Sequence, residues 1–218
     1  MRVYWVKTLD GTGYAFTSEK HINEAIRDWK TGQLVSAPIE EFDLELDENN
    51  IEYFPDVLPL KVNGPHLIFS SRVKSTIEKN NLTNGQWFSV RVMSTQMWLL
   101  HSNNVVDALD ESCSKIRRLR SSGKISSIET FAFSEKKIPT KGLFMVATRP
   151  YEILCTQSFV DLVSEKGWKG FNFKPVWDKR LKPFSVFPTR AEIRERPEVY
   201  GPEGIVKGYE DAWPKEWQ

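Results

Sequence analysis

A metal centre or an acid–base site needs donor side chains brought together, and few of them stand here at diagnostic spacing. The three histidines, His21, His66 and His101, are isolated, with no HExxH motif and no cysteine–histidine spacing of a zinc site. Each reads as a surface or hydrogen-bonded core residue rather than as a ligand. Cys113 and Cys155 lie in no nucleophile motif, and neither a phosphate-binding P-loop nor a GxSxG nucleophile elbow occurs. The Gly11-Thr12-Gly13 run lacks the third glycine of a dinucleotide fingerprint and reads as a turn. The residues therefore point to no catalytic set, no metal and no cofactor.

The chemistry on offer is electrostatic. Between Ile39 and Asp56 stand Glu40, Glu41, Asp43, Glu45, Asp47, Glu48, Glu52 and Asp56, eight carboxylates in 18 residues without one Lys or Arg. Such a segment either guards a sheet edge or presents a surface to a cationic partner, speeding its association and covering a basic cleft. All eight are candidate partner-binding residues. The opposite sign gathers in Lys115-Ile116-Arg117-Arg118-Leu119-Arg120, followed by Lys124 and, further on, Lys179, Arg180 and Lys182. A nucleic-acid patch interleaves such cations with aromatics, but no aromatic follows before Phe131. With Ile116 and Leu119 three residues apart, the run predicts the solvated face of a short helix.

Elements that would position these groups follow from periodicity. Arg2–Val6 reads as a strand, and Tyr14–Phe16 as a second after the glycine turn. Ser18 is a candidate cap for a helix with Ile22, Ala25, Ile26 and Trp29 on one face, closed by Gly32. Phe42, Leu44 and Leu46 alternate with Asp43, Glu45 and Asp47, which predicts a strand with one carboxylate-studded face. Leu67–Phe69 leads into a serine-started helix through Val73 and Ile77. Trp87–Val92 and Met97–Leu100 pair as strands, with further strands at Ile125–Phe133, Leu143–Ala147 and Ile153–Cys155. A helix from Ser158 stops at Gly167, and a last strand spans Phe171–Val176. Ala191–Arg196 forms one short helical turn. Of the tryptophans, Trp5, Trp29, Trp87, Trp98, Trp168 and Trp177 sit in apolar strands or helices and belong to the core; Trp213 and Trp217 suit docking on the domain or on a partner.

Strands outnumber helices and rarely alternate with them, so the expected class is α+β, mainly antiparallel sheet with a few packed helices, with two lobes left open. The expected division is 1–58, a strand and helix region with the acidic segment; 59–180, an α+β core; and 181–218, a Pro- and charge-rich tail packed on the core. At 218 residues, 40% hydrophobic and 27% charged, the chain is long enough for one domain or two small ones. Its formal net charge of +1 conceals a dipole, −6 over residues 1–112 and +7 over 113–218. Such asymmetry orients a partner rather than dictating a fold. No apolar run approaches the roughly 20 residues of a membrane span. The start lacks a signal-peptide core, and two isolated cysteines fit a reduced, cytoplasmic setting.

From about Pro59 to Val176 the order of features resembles immunity family eleven of bacterial polymorphic toxin systems. The matching elements begin with Leu67-Ile68-Phe69-Ser70-Ser71-Arg72-Val73, then Gln86-Trp87-Phe88-Ser89-Val90-Arg91-Val92, then Trp98-Leu99-Leu100 with Val105–Asp110 behind it. The most specific is the closing signature: Ile153-Leu154-Cys155, the helix Ser158–Lys166, and Gly167-Trp168-Lys169-Gly170-Phe171-Asn172-Phe173-Lys174-Pro175-Val176. Residues 1–58 and the tail fall outside this resemblance. It implies a non-enzymatic cytoplasmic antidote that binds a cognate toxin or effector domain and occludes it, with no membrane and no direct nucleic-acid contact. Homo-oligomers stay open. Two other classes stand beside it: an enzyme with a dispersed active site, and a nucleic-acid or regulatory binding module using the basic second half.

Overall fold

The structure, a computed structural model, describes residues 1–8, 15–18, 22, 24–26, 29, 32–35, 42–46, 54–60, 66–200 and 205–207, with the backbone alone at 149–151. Most of it is built by two-residue alternation. In chain order the strands are β1 (Arg2–Thr8), β2 (Ala15–Phe16), β3 (Phe42–Leu46), β4 (Val57–Pro59), β5 (Leu67–Ser70), β6 (Gly85–Val92) and β7 (Thr95–Ser102). Then follow β8 (Val105–Val106), β9 (Lys115–Arg118), β10 (Ile125–Thr130), β11 (Leu143–Val146), β12 (Arg149–Thr156) and β13 (Phe171–Asp178). The helices described from end to end are α1 (Ser71–Lys79), α2 (Gln157–Lys166) and α3 (Arg190–Glu195).

One sheet has five strands in the order β13-β1-β12-β11-β8, antiparallel except for β8 against β11. The other has six, β2-β3-β6-β7-β5-β4, antiparallel except for β3 against β6. A separate hairpin joins β9 to β10. The class is α+β, mainly antiparallel sheet. The described residues among 1–58 contribute to both sheets: β1 lies between β12 and β13, while β2, β3 and the start of β4 belong to the six-stranded sheet.

The main core is one buried cluster to which both sheets, α1 and α2 contribute. Tyr4, Val6, Met145 and Cys155 come from one sheet, Val57, Phe69 and Leu100 from the other, and Val73, Ile77, Phe159 and Val163 from the helices. These helical residues recur at a spacing of four, the period that keeps a helix's apolar side chains on one face. The outer face of the six-stranded sheet is covered by Ile22 and Ile26, which pack against Phe42, Leu44 and Val90. That of the five-stranded sheet carries Val3, Leu154 and Val176 against Ile128, Phe131 and Phe133.

A buried carboxylate fastens the closing loop to the core. Asp56, 5% exposed, accepts from Ser70 Oγ at 2.7 Å, from the Lys169 N–H at 2.9 Å, and from the Arg72 guanidinium through both of its oxygens. Its own N–H donates to the Lys169 carbonyl at 2.9 Å. Burial by itself would raise the Asp56 carboxyl; the bonds from Arg72, Lys169 and Ser70 outweigh it and hold the group below the usual carboxylate range. The loop reaches Asp56 because two glycines steer it. Gly167 ends α2 at φ +59°, and the Trp168 N–H caps the Val163 carbonyl at 3.1 Å. At Gly170, φ +91°, a Cβ would stand 2.7 Å from the Pro55 side chain.

The basic run departs from expectation. Lys115–Arg118 is a strand, not a helix, and Leu119 is 48% exposed rather than inward. Ile116 lies opposite Ile128, and the cations on either side of it reach carboxylates across the hairpin. Cross-strand pairing decides the structure of this short segment where local periodicity is ambiguous. Ala191–Arg196 does contain a short helix, α3, whose first turn is closed by a reciprocal Thr189–Glu192 capping box. Beyond β13, Phe184, Val199, Tyr200 and Val206 are buried, and the Ser185 N–H donates to the Tyr200 hydroxyl at 2.6 Å.

Candidate functional site

The acidic strand forms as its alternation predicts. Phe42, Leu44 and Leu46 of β3 are buried in the sheet, which leaves Asp43 and Glu45 exposed on the opposite side. Asp43 lies in register with Arg91 of β6 and accepts from its Nε at 2.7 Å and Nη2 at 3.3 Å. That guanidinium holds the Asp43 carboxyl below its ordinary value. Glu45 accepts from the Ser18 hydroxyl at 2.8 Å. Beside them the β6–β7 hairpin turns on Met93 and Ser94, both in the left-handed region with φ +47° and +66°. Asp43, Leu44, Arg91, Met93 and Ser94 line a shallow open depression, with Met93 55% exposed.

Of the eight carboxylates named from the sequence, the structure thus brings Asp43 and Glu45 to one exposed face. Asp56 does not join them; it is the buried anchor of the closing loop. Glu40, Glu41, Asp47, Glu48 and Glu52 lie outside the described residues, as do His21, Trp213 and Trp217.

His66 and His101 are buried neighbours with ring centroids 6.3 Å apart, and Trp29 packs edge-on against both at 5.9 and 5.2 Å. His101 Nε2 bonds the Gln33 carbonyl at 2.9 Å, while His66 Nδ1 has no hydrogen-bond partner among the described residues. Burial lowers the pKa of both, that of His66 to about 4. Neutral, packed imidazoles of this kind are core residues. Among the described residues no group of three or more His, Cys, Asp or Glu side chains is placed to hold a metal ion. Cys155 is fully buried, which pushes its thiol well up, and Cys113 is exposed on a turn.

Three cations of the densest basic run meet carboxylates. Lys115 and Arg117 each reach Glu129, at 2.9 and 2.8 Å, and Arg118 pairs with Glu111. Next to this hairpin an open cleft of about 490 Å³ is lined by Trp5, Glu152, Phe187 and Glu192 among others. Here Lys7 Nζ sits 3.4 Å over the Trp5 ring and Lys174 Nζ 3.5 Å over the Phe187 ring. Burial and the neighbouring Lys7 lower the Lys174 ammonium to about 8. Phe187 is 61% exposed. Sequence reasoning missed this group, because Phe187 lies in a Pro-rich stretch without periodicity and meets Trp5 only through the fold.

The model of the immunity protein family Imm11 matches residues 10–178, which takes in the acidic strand and most of the first 58 residues as well as the closing signature. No curated protein matches the chain.

Proposed function

We propose, since the chain belongs to the immunity protein family Imm11, that it binds a cognate toxin domain and neutralises it by occlusion rather than by chemistry. The exposed Asp43–Glu45 face of β3 is our candidate for part of that contact. The observation that carries this reading is the exposed Asp43–Glu45 face, flanked by the exposed Met93, on a strand that the family match includes. Carboxylates around an apolar residue suit a cationic partner whose own active site attracts anions, because complementary potentials speed encounter while the apolar contact slows release.

Glu45 is the sharper probe of the two, since Asp43 already shares its charge with Arg91. Glu45→Lys is expected to slow association with the toxin domain at low salt. The difference should shrink as ionic strength rises and the Debye length falls below roughly 10 Å. Stopped-flow mixing at two salt concentrations measures it, and an unchanged association rate would remove β3 from the interface. Extending the reversal to Glu40, Glu41, Asp47, Glu48 and Glu52 tests the rest of the segment.

The nucleic-acid reading has little to draw on, since the cations of β9 are met by Glu129 and Glu111. An enzyme reading would need donors converging on a cavity, and the two described histidines are packed against Trp29 instead.

A further inference from the structure

A sheet edge is a row of backbone donors and acceptors open to another strand, and proteins usually blunt it. Three of the four edges in the two large sheets are short: β2 and β8 have two residues each, and β4 has three and ends in Pro59. The fourth, β13, runs for eight residues along β1. Its second half is protected by two devices. Pro175 has no N–H to offer, and a bulge follows it, where the register with β1 shifts between Val3 and Tyr4.

The first half, Phe171–Lys174, carries neither device. Pro175 stands opposite Tyr4 and leaves the ladder intact if that position faces away from β1. By alternation the N–H and C=O groups of Phe171 and Phe173 then face away as well. Among the described residues no strand pairs with this outer edge.

The side chains around the edge specify what could add to it. On the α2 side Phe173 packs on Phe159 and Phe171, with centroids at 6.2 and 5.7 Å, and stays partly exposed. On the other side stand Lys174 and the exposed Phe187 ring, with Lys7 beyond them. We propose that Phe171–Lys174 receives an extended segment of the toxin partner as an added strand, apolar where it meets Phe173 and acidic where it meets Lys174. This rests on the toxin-binding reading above and gives it a second, oppositely charged contact. A second copy of this chain fits less well, because two-fold pairing of β13 with itself would bring two like-charged Lys174 ammoniums to neighbouring positions.

The test uses the full chain, free and in complex with the toxin domain recovered with it by co-purification, compared by amide hydrogen exchange. The Phe171 and Phe173 amides are expected to exchange readily in the free chain and at least about tenfold more slowly in the complex. Lys174→Glu and Phe187→Ala should each weaken binding by about tenfold, with unchanged circular dichroism. A complex that leaves both amides unprotected and both variants at full affinity would overturn the inference while leaving the toxin reading intact. Amides already protected in the free chain, or a free dimer joined through this edge, would overturn it too. Failure of every tested toxin domain to bind would overturn both.

Discussion

His66 buries an Nδ1 that meets no hydrogen-bond partner among the described residues, and that bears on how the fold responds to acid. Its pKa in the fold is about 4, against an ordinary value of 6.5. Between those values the unfolded chain binds a proton that the folded chain refuses. Stability from this group is therefore complete above about pH 6.5 and is lost as pH falls towards 4, by up to about 1.4 kcal/mol per pH unit. His101 is shifted in the same direction and adds to the slope. Denaturant unfolding at pH 5 and pH 7.5 should show the lower midpoint at pH 5, and His66→Phe, which keeps a ring against Trp29, should flatten the difference. An equal slope in the variant would assign the acid sensitivity elsewhere. The sequence already spoke against metal-binding roles for these residues, since isolated histidines supply no ligand set. Asp56 was harder to read. Composition groups it with the acidic run, yet it adjoins Val57 and Leu58, both fully buried, and the bonds from Arg72, Ser70 and the Lys169 N–H, the last from 113 positions away, explain why a carboxylate sits there.

Among the elements, those governed by neighbours in sequence were legible: β3 from its alternation, and α2 with its glycine stop. α3 was anticipated only as a turn, although Thr189 and Glu192 stand at capping-box spacing. β9 was misread because four residues with one apolar side chain fit either period, and the choice falls to Glu129 on the opposite strand. The β6–β7 turn belongs to the same scale. Two-residue hairpins favour Asn-Gly because both central residues need positive φ, and this one uses Met93 and Ser94. Replacing the pair by Asn-Gly should relieve that strain and raise stability by about 1 kcal/mol, read from the urea midpoint. If the exposed Met93 side chain also touches the toxin, the same variant will bind it more weakly while being more stable. A variant that gains neither stability nor loses affinity would leave this turn without a role in either.

At the scale of the whole molecule, the α+β class was legible but the pairing of strands was not, because partner choice depends on segments far apart in sequence. Nothing local announces that β1 runs between β12 and β13, or that β3 meets β6 in parallel. This weave yields a prediction against treating residues 1–58 as an appendage. Their deletion removes the strand between β12 and β13 together with β2, β3 and all of β4 but Pro59, so residues 59–218 should lose the cooperative thermal transition of the full chain. A sharp, reversible transition in the truncated protein would refute it. The position of β1 has a consequence in time as well. Of the strands of this sheet Arg2–Thr8 leaves the ribosome before the others, but its two neighbours, Arg149–Thr156 and Phe171–Asp178, follow much later in the sequence. At about 5–20 residues per second that first strand waits on the order of ten seconds or longer for the segments that flank it. The five-stranded sheet is therefore assembled after translation of β13, and a nascent chain paused short of that strand carries an unfinished sheet however long it waits.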